Sequence, residues 1–239
     1  MEPITIQQIA EGHTLLINKP YLWTSFDVVN KLKWLLRKPL GKKFKIGHAG
    51  TLDPLATGLL IVCTGKNTKI IQGIQDAKKA YHATFYIGAT RPSFDKETEI
   101  DENFPTAHIT ENLILETAIG FLGPQEQMPP IFSAIKKDGK PIYLKARKGI
   151  EVIVEARPIV IEKFDIVDIS LPLIEAAIVC SKGTYIRSIA KDFGTKMNSG
   201  AYLDGLVRTG IGDNKLEDAW EMEALINHIQ EQVTTLNLE

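Results

Sequence analysis

Apolar and polar positions change period along the chain, and the changes divide it into elements. Thr14 to Ile17 reads as a short strand that ends at Asn18-Lys19-Pro20. Thr24-Ser25-Phe26-Asp27 has the form of a capping box, and Phe26, Val29, Leu32 and Leu36 then recur at helical spacing. Leu59 to Thr64 is a continuous apolar run, the pattern of a buried strand. Tyr81 to Gly88 alternates, with Tyr81, Ala83, Phe85 and Ile87 on one face. Thr110 is placed to cap a helix to about Leu122, where Gly123-Pro124 stops it. Glu151 to Ser170, rich in Val and Ile, predicts two or more strands around Arg157-Pro158, and Ile174 to Cys180 predicts another. Thr184 is placed to cap a helix ending near Met197, and a last helix is expected around Met222 to Gln232. Helices and strands mix without regular βαβ alternation, which predicts an α+β fold with a mixed, largely antiparallel sheet. With no repeat and no low-complexity linker, one continuous domain is expected.

Composition changes this picture little. The 239 residues are 44% hydrophobic and 24% charged, ordinary values for a folded chain, and they exclude a disordered, collagen-like or disulfide-scaffold protein. No apolar run is long enough to span a membrane, and the acidic start, Met1-Glu2-Pro3, lacks a signal-peptide pattern. Cys63 and Cys180 lie in apolar runs and read as buried free thiols, which fits a reducing cytoplasm. No zinc motif is present. Gly65-Lys66 continues with Asn67 where a phosphate loop needs Ser or Thr, and Leu60 stands where that loop needs its first glycine. No dinucleotide fingerprint opens a helix, so neither metal nor cofactor is expected.

Charge matters more through its distribution than through its sum of −1. Lys31, Lys33, Arg37, Lys38, Lys42, Lys43 and Lys45 form a run with no acidic residue. A second basic stretch runs from Lys136 to Lys148 with only Asp138 against it. Asp95 to Glu116 and Asp213 to Glu239 are acidic. A basic face for a polyanion is therefore compatible with near-neutrality.

Three segments concentrate chemistry. Gly47-His48-Ala49-Gly50-Thr51-Leu52-Asp53-Pro54-Leu55-Ala56-Thr57-Gly58 places one carboxylate among three glycines and a proline, between a basic run and a buried strand. Taken alone, Asp53 reads as a helix N-cap before Pro54. Ser181-Lys182-Gly183-Thr184-Tyr185-Ile186-Arg187 ends a strand, turns and enters a helix with an arginine in its first turn, where the dipole disfavours a cation and an anionic partner would explain it. Pro130 to Gly149 interleaves basic residues with Phe132 and Tyr143, a composition suited to phosphate neutralisation and base stacking.

These segments, with the Lys19-Pro20 strand end, Lys79-Ala80-Tyr81 and Leu206-Val207-Arg208-Thr209, resemble the TruB family of tRNA pseudouridine synthases over about residues 12–212. The resemblance implies a mixed, mostly antiparallel sheet flanked by helices with a central cleft. It also implies isomerisation of the T-loop uridine at conventional tRNA position 55, without cofactor or metal. The family's essential aspartate falls on Asp53. Its supporting residues fall on Tyr81, Tyr185, Arg187 and Leu206, and its base-displacing histidine falls on His48. Lys19, Lys43, Lys136, Arg147 and Arg208 are the expected RNA contacts, and Arg187 is expected to keep Asp53 ionised.

Many members carry a C-terminal PUA-type RNA-binding domain. Here the family core is expected to end at 212, with 213–239 an acidic extension too short for that domain. The expected partner is the tRNA T-arm, with no guide RNA and no membrane, for a monomer in the cytoplasm. Two other functions share these features. One is a non-catalytic RNA-binding protein, which the set Asp53, Tyr81 and Arg187 argues against. The other is a glycoside hydrolase, which ordinarily needs a second carboxylate close to the first.

Overall fold

The computed structural model describes residues 4–133, 135–137, 140–142, 150 and 154–236. They form two compact units, one comprising residues up to Tyr81 together with those from Val207 onward, the other His82–Leu206. The chain passes from the first unit to the second inside one strand, β4, and returns inside another, β12.

In the first unit α1 (Ile6–Glu11) leads into β1 (Thr14–Lys19), α2 (Ser25–Leu40), β2 (Ile46–His48) and β3 (Thr57–Thr64). A 3-10 turn and α3 (Ile71–Asp76) then lead to β4 (Lys79–Ile87). β1 and β2 both pair antiparallel with β3. The capping box at Thr24 is present, its hydroxyl accepting from the Asp27 amide and the Asp27 carboxylate accepting from the Thr24 amide. The buried stripe of α2 is Val28, Val29, Leu32, Leu35 and Leu36. Phe26, expected on that stripe, is 63% exposed instead. The stripe packs with Ile6 and Ile9 of α1 on Leu15, Ile17, Leu60 and Val62 of the sheet. Leu59, Ile61 and Cys63 point to the opposite face, against Ala49 and Ile211. β3 is thus buried on both sides, which is why its sequence is a continuous apolar run rather than an alternation.

The second unit holds the rest of β4, then β5 (Ala89–Thr90), β6 (Glu102–Asn103), α4 (Glu111–Ile119), β7 (Gly123–Gln127), β8 (Lys136–Lys137) and β9 (Lys140–Pro141). β10 (Arg157–Ser170), β11 (Leu173–Cys180), α5 (Ile186–Lys196) and β12 (Ala201–Ile211) follow. β10 pairs antiparallel with β11 on one side and β7 on the other. The expected break at Arg157-Pro158 is the start of one long strand. Residues 151–153 of the predicted strand region lie outside the described residues. Phe85, Phe121, Phe164 and Phe193, from β4, the end of α4, β10 and α5, form one aromatic cluster with ring centroids 5.5–6.1 Å apart. Such pairs stabilise a core beyond the area they bury.

Back in the first unit, the end of β12 pairs parallel with β3 through Val207 and Arg208, and antiparallel with β13 (Asn214–Lys215). β14 (Trp220–Glu221) runs parallel to β1. α6 (Met222–Leu236) sends Met222, Leu225 and Ile229 into the same core as α2. Residues 213–236, expected as an extension, are therefore built into this unit. The sheet is mixed and mainly antiparallel, and the fold is α+β. No described helix is long and apolar enough to cross a membrane. Both cysteines are free and buried.

Strand period has one costly consequence. In β1 the core-facing positions are Leu15, Ile17 and, two residues on, Lys19, which is fully buried. Burial pulls the Lys19 pKa down from 10.5 to about 8. The unfolded chain therefore binds more protons between those two values, so stability rises with pH across that window. The denaturant midpoint is predicted to rise from pH 8 to pH 10 by more in the wild type than in Lys19→Met. Equal pH slopes in the two proteins would contradict this origin.

Candidate active site

The loop carrying Asp53 is defined by its carbonyls. The Gly50 and Thr51 oxygens accept from the Arg208 guanidinium, Nη2 at 3.2 Å and Nη1 at 3.1 Å, and Arg208 Nε donates to Leu59 O at 2.7 Å. The Leu52 oxygen accepts from the Ser25 hydroxyl at 3.2 Å, while the Leu52 amide donates back to it at 2.8 Å. The Asp53 oxygen accepts from the Ala56 amide at 3.1 Å. The Pro54 oxygen accepts from the Leu22 amide at 2.8 Å and from Lys19 Nζ at 3.4 Å. Five consecutive carbonyls thus have donors, in a segment without regular secondary structure. The loop is fixed by side chains from β1, α2 and β12 in place of a backbone ladder.

Lys19 and Arg208 are 0% and 1% exposed. Both were expected among the RNA contacts, and the structure places both side chains in the interior. Lys19 Nζ also donates to Pro20 O at 2.9 Å and Trp23 O at 2.6 Å, so the donors of both residues point at main chain beneath the loop. Asp53 itself is half-buried. Burial has the largest effect on the Lys19 pKa; the Asp53 charge opposes it and the Arg208 charge adds to it. Charged donors make stronger hydrogen bonds than neutral ones, which offsets part of the cost of burying two cations.

Gly58 explains part of the glycine pattern. It has φ +102°, and a Cβ there would lie 2.4 Å from the Arg208 carbonyl oxygen. Only glycine lets β3 approach β12 this closely. His48 ends β2 opposite Val62 and is half-buried. Burial first, and the nearby Arg208 charge, hold its pKa below the ordinary value, so it is neutral at pH 7. Tyr81 sits partly buried in β4 of the same unit. Lys43 is exposed beyond the end of α2.

In the second unit Tyr185 is the N-cap of α5, and Arg187 lies in the first turn as predicted. Thr184, expected to cap, turns its hydroxyl back to Ser181 O at 3.0 Å. The Gln127 side chain takes over, accepting from the Tyr185 amide at 2.8 Å and donating to its carbonyl at 3.0 Å. Arg187 is 4% exposed. Its Nη1 donates to Phe132 O at 2.9 Å and Ser93 O at 3.4 Å, and its Nε lies 3.6 Å from the carboxylate of Asp95. Asp95 is itself 6% exposed. Leu206 is partly buried in β12.

Sequence reasoning missed Asp95, Ser25 and Gln127. Asp95 opens a stretch read only as compensating charge, although the preceding Pro92-Ser93-Phe94 marks a turn. Ser25 passed as part of a capping box, and Gln127 carried no signal. Lys136 falls in β8, with its side chain outside the described residues, and Arg147 lies outside them altogether. Among the described residues no group of three or more His, Cys, Asp or Glu is placed to hold a metal ion.

Comparison with known proteins bears directly on this arrangement. The N-terminal domain of the TruB family pseudouridylate synthases matches residues 37–186. A protein of Flavobacterium johnsoniae named tRNA pseudouridine synthase B is 56% identical over 229 residues, 95% of this chain and 100% of that one. A protein of the same name from Phocaeicola vulgatus is 51% identical over 223 residues, 93% of this chain and 95% of its own. Among solved structures, one chain of a Cbf5–Nop10–Gar1 complex superposes with a TM-score of 0.71 at 25% identity. That match covers 94% of this chain and 56% of the other, so the present chain spans little more than half its length. With a family match over more than half its residues and relatives of nearly equal length at about half identity, the chain belongs to the TruB family of pseudouridylate synthases.

Proposed function

We propose that this chain is a tRNA pseudouridine synthase that converts the T-loop uridine at position 55 to pseudouridine. It acts as a cytoplasmic monomer on the T-arm, without a guide RNA. The observation that carries the reading is identity of 56% over the full length of a relative named for this reaction. The anchored Asp53 loop supports it independently.

The reaction is an isomerisation, so nothing is consumed. The C1′–N1 bond breaks, the uracil turns, C5 bonds to C1′, and the proton lost from C5 is balanced by one gained at N1. A single positioned carboxylate suits this chemistry, adding to ribose or base as a nucleophile or taking a proton to begin elimination. Asp53 is that group. Tyr81 stacks on the uracil. Tyr185, Arg187 and Leu206 act as supporting residues, Arg187 through its pairing with Asp95. His48, uncharged at neutral pH, fills the space that the extruded uridine leaves, a step that offsets part of the few kcal/mol lost on unstacking. Lys43, Lys136 and Arg147 contact phosphates. Lys19 and Arg208, being buried, act on the Asp53 loop instead.

Asp53→Asn keeps the loop geometry and removes the charge. It is predicted to lower pseudouridine formation on unmodified tRNA transcript by at least about a thousandfold, with tRNA affinity within about twofold of wild type. Single-nucleotide mapping of pseudouridine checks this, and near-wild-type turnover would remove Asp53 from the chemistry. The affinity for tRNA is also predicted to fall about tenfold or more between 50 and 200 mM salt, because bound phosphates release counterions. A flat titration would remove the basic run 31–45 from RNA binding.

A further inference from the structure

Between the end of β1 at Lys19 and the start of α2 at Ser25 the chain turns through Pro20-Tyr21-Leu22-Trp23. The Trp23 amide donates to Pro20 O at 3.4 Å, and Leu22, the third residue of the turn, has φ +67°. That position with positive φ suits glycine or asparagine and disfavours a bulky side chain. The turn is tied to the Asp53 loop, since the Leu22 amide donates to Pro54 O at 2.8 Å. Glycine would make the same hydrogen bonds, so the backbone does not account for a leucine here. Packing does not account for it either, because Leu22 is 65% exposed. Tyr21 and Phe26 are 49% and 63% exposed, so three large apolar side chains meet solvent within six residues. The stretch is fixed to the loop twice, by Leu22 on Pro54 and by Ser25 on Leu52. A single exposed apolar residue needs no explanation. One held in a disfavoured backbone conformation against the Asp53 loop is the kind of outlier from which a functional contact is inferred.

We propose that Leu22 is a substrate-contacting residue, whose side chain packs on the face of an unpaired T-loop base within about three nucleotides of the target uridine. The proposal rests on the tRNA reading above. Its place follows from reach. Standard bond lengths and the 2.8 Å hydrogen bond to Pro54 put the Leu22 Cα no more than about 10 Å from the Asp53 Cα. That length is about three steps along a nucleic-acid strand. Paired bases of the stem have both faces stacked, which leaves the unpaired bases of the loop. Apolar side chains such as leucine pack on bases where stacking has been broken. Leu22 offers no hydrogen bond to a base edge, so the contact tolerates any base in that position.

The test compares dissociation constants of wild type, Leu22→Gly and Leu22→Met for three RNAs: full-length unmodified tRNA, the T-arm stem–loop, and the T-stem duplex with its loop removed. Leu22→Gly is expected to weaken binding of tRNA and stem–loop alike, by about tenfold, and to leave duplex binding within about twofold. Leu22→Met keeps an apolar side chain of similar volume and is expected to recover most of the loss. The glycine variant is expected to melt no lower than wild type, because it relieves the positive φ and removes an exposed side chain. No loss on the stem–loop, an equal loss on the duplex, a loss confined to full-length tRNA, or a loss that methionine does not repair would each overturn the proposal. So would a glycine variant that melts below wild type, since leucine would then have a structural role. Pseudouridine mapping with the wild type runs in parallel. Its failure would overturn the enzymatic reading alone, because the affinity comparison does not depend on turnover.

Discussion

Everything proposed for this protein depends on how an irregular loop is held still. Residues 50–54 lack regular secondary structure, yet each of their carbonyls meets a donor, and three of the five are reached by the buried cations Arg208 and Lys19. A backbone ladder would fix such a segment only by making it a strand, with side chains on alternate faces, or a helix, with side chains distributed round its axis. Side-chain donors from below leave the loop free to present Asp53. The surrounding architecture follows from that arrangement. β1 ends in a buried lysine, α2 begins with a serine aimed at the loop, and β12 runs parallel to β3 closely enough to require glycine at Gly58.

Two populations of positive charge do different work here. Lys19 and Arg208 are spent inside the protein, on main-chain oxygens. The run from Lys31 to Lys45 lies on or beyond α2, most of it exposed, and faces outward. A net charge of −1 conceals this division, because acidic residues elsewhere cancel the basic run in the sum. In the second unit the pairing of Arg187 with Asp95 repeats the internal use of charge. It holds the first turn of α5 against the segments at Ser93 and Phe132.

Much of this was legible in the sequence, for identifiable reasons. Periodicity located α2 and the alternating strand β4, because one face of each is buried. The unbroken apolar run of β3 signalled burial on both faces. The glycine-rich segment around Asp53 stood out because several requirements for close approach and unusual backbone fall within a few residues. Other features had no local signature. Phe26 stands three residues before Val29, but Ser25 holds the inward position in that turn and Phe26 falls about 100° round the helix from it. Thr184 looks like a cap, yet Gln127 caps the helix from 58 residues away in sequence. Lys19 and Arg208 match a basic RNA-binding residue in type, and only the strand register reveals that they point inward. Asp95 was hidden among exposed acids. For Gln127, Arg208 and Asp95 the deciding contact is long-range.

The central claim is that the buried cations position Asp53 rather than bind RNA. Arg208→Lys keeps the charge but loses the forked geometry that spans Gly50, Thr51 and Leu59, and a shift of about 1 Å in a reacting group costs roughly a hundredfold in rate. Steady-state kinetics on unmodified tRNA, with amide exchange over residues 50–56 in parallel, measure both sides of the claim. The account predicts that kcat falls by about two orders of magnitude, tRNA affinity stays within about twofold, and exchange in the loop accelerates. A folded Arg208→Lys protein with unchanged kcat, or one whose defect lies wholly in tRNA affinity, would contradict it.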